Sequence, residues 1–254
     1  MERGDFTNLA KDYIHRAGYS QRVLGAIAAY IGASREGFAI ADVGAGTGKL
    51  TENLCAMGFR GFAVEPNDAM RNEAARLGTT TGQFRWSAGS AEHTGIPDNC
   101  ADWVLMASSF HWTKPDLALA EFHRILRPGG FFTALWNPRD LESSDLHTRI
   151  EARIHDLVPQ ITRVSSGSGK YTKDVDNTLI STGHFGNLIF MEAPHWEVMT
   201  KERYLGAWRS VNDIQAQAGP ERFARILEAI AEEISALDVV PVPYKTRAWT
   251  VQAK

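Results

Sequence analysis

Cysteine is scarce: Cys55 and Cys100 are the only two in 254 residues, too few and too isolated for a disulfide scaffold or a metal site. His123, His155, His184 and His195 also lack ligand spacing and read as structural or surface residues, so no metal is expected. Long hydrophobic runs are missing, with no stretch of about 18 apolar residues that could cross a membrane. Charge of one sign does not accumulate. Against 30 acidic residues stand 27 basic ones, for a net charge of −3, which leaves no footprint for nucleic acid. The first residues, MERGDFTNLAKDYIHR, contain no apolar core of a signal peptide. Repeats and low-complexity tails are absent too. With 44% hydrophobic and 22% charged residues, the composition is that of a globular protein with a good core. These exclusions predict a cytoplasmic chain with free thiols and no membrane or nucleic-acid partner. They carry no mark of oligomeric state.

The most informative stretch is residues 38 to 50, FAIADVGAGTGKL. An apolar strand, Phe38 to Val43, runs into Gly44, Gly46 and Gly48, and helix-forming residues follow over Thr51 to Met57. Glycine permits positive φ and close ligand approach, and the helix start beyond offers unpaired N–H groups. Such a loop cradles a nucleoside-bearing small molecule. A phosphate-binding P-loop is excluded, because Leu50 follows Gly48-Lys49 and Val43 stands where its first glycine belongs. The dinucleotide pattern G-x-G-x-x-G fails at Lys49, whose side chain would obstruct close helix–strand packing.

A second motif, FAVEPNDAM at 62 to 70, ends a short strand in Glu65, followed by Pro66 and Asn67. An acid about 20 residues beyond the first glycine, at a strand end, is placed to accept hydrogen bonds from both ribose hydroxyls. Dehydrogenases use such an acid as well, so Glu65 points to a nucleoside and not to a chemistry.

The pattern D-x-G-x-G-x-G from Asp42 to Gly48 resembles motif I of the class I S-adenosylmethionine (SAM)-dependent methyltransferases. Further residues extend the resemblance to the methyltransferase type 11 group and, within it, the trans-aconitate-methyltransferase-like enzymes. They are Gly89-Ser90-Ala91-Glu92, Pro97-Asp98, the strand Ala101 to Ala107, Phe110-His111-Trp112, and Leu126 to Gly130, in that order. Asp12 to Tyr19 looks like the family's N-terminal Y-x-x-x-R-P-x-Y helix, with Ala17 in place of proline. Ser90 is a second departure, standing where many class I members have an Asp that receives the adenine amino group.

Hydrophobic patterning supports an α/β fold. Strands are expected near 38–43, 61–65, 83–87, 102–107 and 130–136, with two more near 185–192 and 246–253. Helices are expected over 20–31, 47–57, 67–76 and 114–126. The alternation predicts a mostly parallel sheet with helices on both faces. The resemblance implies a Rossmann-like sheet of seven strands, the seventh antiparallel and inserted at the sheet's edge. The chain reads as one domain over 1–254. Residues 138–184 and 200–237 interrupt the pattern as helical insertions, with a small-residue hinge at Ser165 to Gly169 and a break near Gly219-Pro220. They are expected to cap the carboxyl ends of the strands, where α/β-sheet ligands bind.

The resemblance implies SAM as cofactor and S-adenosylhomocysteine (SAH) as product. Asp42, Gly44, Ala45 and Gly46 would surround the methionine part, and Tyr13 and Arg16 would meet its carboxylate. Glu65 and Pro66 would face the ribose. Ser90, Ala91, Glu92 and Ala107 would line the adenine side. The acceptor would be a small molecule placed near Phe110, Trp112, Trp136, Trp208 and Arg209. Arg209 could clamp a carboxylate or stand as an ordinary surface arginine. His111 is either a base for the acceptor or a shaping residue, since carboxylate acceptors are ionised without help. The reading is SAM-dependent methyl transfer to a carboxylate or other oxygen nucleophile. The alternatives are N- or C-methylation of an aromatic or heterocyclic metabolite, and SAM binding without catalysis.

Overall fold

The apolar segments between residues 39 and 136 become five parallel strands. The computed structural model describes residues 6–33, 37–78, 82–162 and 172–254. The strands are β1 (Ala39–Val43), β2 (Arg60–Val64), β3 (Phe84–Ser87), β4 (Ala101–Ala107) and β5 (Leu126–Trp136). Two long antiparallel strands follow, β6 (Phe185–Met199) and β7 (Val240–Ala253). The sheet order is β3-β2-β1-β4-β5-β7-β6. The antiparallel seventh strand thus lies one place inside the edge, between β5 and β6.

Strands β1 and β4 and the second half of β5 are buried on both faces, and alternate residues serve opposite cores as the period of two requires. Ile40, Trp103, Leu105 and Leu135 pack on one face, and Ala41, Val43, Val104, Met106 and Trp136 on the other. Gly61 is required where β1 meets β2, since a Cβ there would come within 1.9 Å of the Ile40 carbonyl oxygen.

The helices start where the local chemistry allows. Ser20 accepts from the Val23 N–H to open α2 (Gln21–Tyr30), and Asn67 accepts from the Met70 N–H to open α4 (Asp68–Arg76). Between them α3 (Lys49–Ala56) begins at left-handed Gly48 without any side-chain cap, so its first N–H groups stay turned toward the loop. A short α1 (Ala10–Tyr13) precedes these, and α5 (Pro115–Ile125) begins on its proline.

Among the described residues four more helices lie outside this alternation: α6 (Asp145–Leu157), α7 (Val175–Ile180), α8 (Lys201–Arg209) and α9 (Asn212–Glu233). The expected break at Gly219-Pro220 is a kink within α9, where Gly219 has φ +73°. A further break between α8 and α9 went unforeseen. The proposed hinge, Ser165 to Gly169, lies outside the described residues.

The register shows where α6, α8 and α9 sit. Trp136, the last residue of β5, pairs with Arg247, so residues 240–246 of β7 run on beyond the carboxyl end of β5. They stay paired there with β6 residues 193–199. Met199, Val240, Val242 and Tyr244 from this projecting hairpin join Ile150, Tyr204, Trp208 and Ile226 in a separate hydrophobic core. Ala17 from the N-terminal segment is buried in the same core.

Candidate active site

At the carboxyl end of β1 the chain must turn sharply, and Gly44, Gly46 and Gly48 all take positive φ. The Gly44 and Ala45 N–H groups both donate to the Val64 carbonyl, at 2.8 and 3.0 Å, which folds the loop onto the end of β2. Glu65, the next residue, is only 7% exposed. Its Oε2 accepts from the Gly46 N–H and its Oε1 from the Asn67 N–H, each at 2.9 Å. Burial raises the Glu65 pKa, opposed by these N–H groups and by nearby Arg71. A carboxylate has four acceptor positions, so two remain for a ligand's donors.

Asp42 lies beneath the loop, fully buried. Its Oδ2 accepts from the Thr51 hydroxyl at 2.6 Å, while Oδ1 has no hydrogen-bond partner. Burial pushes its pKa up to about 7, against the Thr51 hydrogen bond and with help from Glu65. The Thr47 and Ser109 hydroxyls are likewise buried without partners. A Cβ on Gly44 would reach Ser109 Oγ at 2.7 Å, whereas one on Gly46 would meet nothing nearer than the Tyr13 ring at 3.9 Å. An open glycine cradle over an unsatisfied buried carboxylate oxygen fits a ligand that brings its own cation, as the methionine ammonium of SAM does.

The N-terminal segment covers this loop. Tyr13 ends α1 with its ring under the Arg16 guanidinium, at 5.1 Å, and edge-on to Phe6. Arg16 donates from Nε to the Ser210 hydroxyl and from Nη2 to the Ser210 carbonyl, at 2.6 and 2.9 Å. Arg209 donates to Asp12 at 2.9 Å. Arg209 is therefore a tie between α8 and α1, where a clamp for the acceptor was one expectation. Three residues that the sequence reading left out of the site anchor the same segment. Asn137 donates to the Gly18 carbonyl, Thr246 accepts from the Ser20 N–H, and Asn53 accepts from the Tyr19 N–H.

On the adenine side, Ser90 and His93 exchange backbone hydrogen bonds in a tight turn, and Ala91 is buried in the sheet core. Glu92 accepts from the Lys114 N–H at 2.9 Å, which fixes the start of α5. Pro66 is exposed at the turn after Glu65, and Ala107 is half-buried at the end of β4. Beyond β4, Ser108 holds a positive φ of 54° and takes the Tyr19 hydroxyl at 3.2 Å.

The acceptor side needs correction at three residues. Phe110 is buried against Phe132, Trp136 is completely buried, and Trp208 is 1% exposed within the helical core. None of the three presents surface to a pocket. Trp112 is 44% exposed, with its ring 4.5 Å from His111 and 6.3 Å from Phe6. His111 is held from behind, where the Trp136 indole N–H donates to its Nδ1 at 3.1 Å. The neutral ring must then carry its proton on Nε2. Burial lowers the His111 pKa to about 4. A ring already accepting through its basic nitrogen, and so averse to protonation, is poorly suited to act as a base.

Among the described residues no cluster of three metal-ligating side chains occurs, and no helix is long and apolar enough to cross a membrane.

The family model described as a methyltransferase domain matches residues 41–134, the stretch from β1 to β5 that holds the glycine loop and Glu65. A methyltransferase of Mycobacterium bovis, itself uncharacterized, is 41% identical over 102 residues, 40% of this chain and 40% of its own. The match thus spans about two fifths of that relative's length. An uncharacterized methyltransferase-like protein of Schizosaccharomyces pombe is 28% identical over 228 residues, 83% of this chain and 80% of its own. Among solved structures, a protein of Anaeromyxobacter dehalogenans assigned as a type II methyltransferase superposes with a TM-score of 0.63 at 19% identity. That superposition covers 94% of this chain and 97% of the other and shows the shared fold. With motifs, strand order and relatives in agreement, residues 41–134 carry a methyltransferase domain, set in a fold shared with solved methyltransferase structures.

Proposed function

We propose that this protein transfers a methyl group from SAM to an oxygen of a small organic acid, as a trans-aconitate-methyltransferase-like enzyme would. The cofactor half of the proposal is carried by the loop geometry. Glu65 fixes the loop and keeps two acceptor positions, above an Asp42 oxygen that has no partner. When bound, SAM supplies a methyl carbon already activated by its sulfonium, so the protein need not provide a strong acid or nucleophile. The residues here hold, orient and exclude water. Glu65 would take the ribose, Asp42 the ammonium side, and Arg16 with Tyr13 the carboxylate end. Exposed Trp112 would give the sulfonium an aromatic face, a contact of order 1 kcal/mol.

The oxygen half rests on His111. With Nδ1 accepting from Trp136 and burial lowering its pKa to about 4, it is poorly suited to take a proton from an acceptor. An acceptor that must lose a proton is poorly served by this arrangement. A carboxylate arrives ionised. The helical layer of α6, α8 and α9, tied to the N-terminal segment through Arg16 and Arg209, would serve as the cap that keeps water out. Nucleic acid and membranes have no place in this reading.

Calorimetry with SAM, SAH and NAD, followed by a screen of metabolites for SAH release, tests the proposal. SAM and SAH should bind, NAD should bind negligibly, and acids should turn over. Tight NAD binding without a response to SAM would overturn the cofactor assignment. Turnover confined to amines or aromatic carbons would overturn the oxygen assignment, and SAM binding with no turnover would favour a non-catalytic role.

A further inference from the structure

A second group of buried polar side chains lies beyond the carboxyl end of β5, between the sheet and the helical layer. Arg139 follows β5 by three residues and is bridged through its backbone to Tyr244 of β7. Its guanidinium lies 4.0 Å from the centre of the Trp208 ring and 5.6 Å from that of Tyr204, both on α8. The Tyr244 side chain is near enough to act on its charge. These aromatic neighbours are almost wholly buried, yet Arg139 itself keeps partial exposure. Among the described residues Arg139 has no ion pair; Glu151 on α6 acts on it only through its more distant field.

His147 on α6 packs edge-on against Tyr204, with ring centres 5.7 Å apart. It is 1% exposed, and its Nδ1 is paired with the Ser144 hydroxyl at 2.8 Å. Its Nε2 is buried with no partner. Burial and the Arg139 charge together lower its pKa to about 4, so it adds no second cation. A mostly desolvated guanidinium without a counter-charge, beside an unsatisfied imidazole nitrogen, is costly unless something else completes it.

We propose that Arg139, stacked on Trp208 and Tyr204 and flanked by Tyr244 and His147, is the recognition point for a carboxylate of the methyl acceptor. The planar fork of an arginine matches a carboxylate with two parallel N–H donors. The Trp208 and Tyr204 rings hold that fork in place from within the helical core. His147 Nε2, in the tautomer that carries hydrogen there, supplies a further donor. The site takes the acid group of the acceptor, not the cofactor. This inference rests on the methyltransferase reading for the word acceptor, while the anion site itself does not.

Titrating the protein with succinate, benzoate, succinamide, benzamide and inorganic phosphate, with and without saturating SAH, tests it. At least one carboxylate should bind and its amide should not. Arg139→Gln should weaken that binding about tenfold or more and leave SAH affinity unchanged. Arg139→Lys should recover part of the loss, because it restores charge without the fork. Should the Gln variant fail to fold, Arg139→Lys and His147→Phe, which removes the Nε2 donor, carry the comparison, each expected to bind the acid more weakly than wild type. Equal binding of acid and amide, an acid affinity insensitive to these changes, or no carboxylate binding in either condition would overturn the assignment. Phosphate binding tighter than both acids would overturn the carboxylate class. Failure of SAH itself to bind would count against the methyltransferase reading, and the titrations without SAH would still decide the role of Arg139.

Discussion

At Glu65 one carboxylate oxygen accepts from the Gly46 N–H and the other from the Asn67 N–H, so the side chain shapes the glycine loop before any ligand arrives. Glu65→Ala should therefore lower SAM affinity about tenfold or more, since charge-assisted hydrogen bonds contribute roughly 1.5–3 kcal/mol each. It should also lower the melting temperature, an effect that a purely ligand-facing acid would not have. Calorimetry beside a thermal melt separates the two, and a folded variant with wild-type affinity would show that the acid faces no ligand. Asp42 adds a pH dependence. Its folded pKa, about 7, stands above the ordinary aspartate value of 3.8, so its contribution to stability is complete below pH 3.8 and is lost as pH rises through 7. Asp42→Asn should flatten the fall in stability between those limits. An ammonium beside the carboxylate favours the ionised form, so SAM binding near pH 6.5 should release a proton, read as heats that vary with the buffer's ionisation enthalpy. Buffer-independent heats would place Asp42 away from the ammonium. Asp42, the glycines and Glu65 were legible from sequence because they are close together in the chain and obey fixed spacing. Arg139 and His147 were not, because only the packing of α6 and α8 onto the projecting hairpin brings them together.

Among the elements, α1 and α8 meet at Gly206, where a Cβ would come within 2.3 Å of the His15 ring. The glycine lets the N-terminal segment lie against the helical layer, with Asp12–Arg209 and Arg16–Ser210 locking the contact. Gly206→Ala should force the two apart at a cost of about 1–3 kcal/mol. Because the sheet is untouched, a folded protein with weakened SAH binding is expected, measured by a denaturant melt and a titration together. Unchanged SAH affinity would mean that the α1–α8 contact does not support the cofactor site. Strands β1, β4 and the second half of β5 were readable because burial on both faces writes continuous apolar runs. β6 and β7 proved far longer than the sequence suggested, at 15 and 14 residues. In their projecting halves polar residues alternate with apolar ones and three prolines intervene, which obscures the strand signal. Pro194 falls in β6 and Pro241 and Pro243 in β7, and the antiparallel pairing absorbs them.

For the molecule as a whole, the second hydrophobic core predicts that the N-terminal segment and the helical layer respond to ligands in sequence. Hydrogen exchange should slow at residues 6–20 when SAH binds, beyond the change at the glycine loop. It should slow further at 200–215 once an acceptor joins. Exchange that slows only at 42–65 and 88–92 with both ligands present would remove the cap from the site. The seven-stranded sheet and its helical faces followed from the alternation of patterns along the chain, whereas the position of the helical layer depended on a register that no local pattern encodes. That register also governs how the protein can be made. β7 lies between β5 and β6, yet it is the last of the seven to leave the ribosome. Until residue 253 has emerged, β5 offers an open edge and β6 has no neighbour. Synthesis at roughly 5–20 residues per second leaves the 54 positions from 200 to 253 a window of several seconds. During that interval the half-made sheet depends on chaperones, or on its own helices, to avoid pairing with another nascent chain.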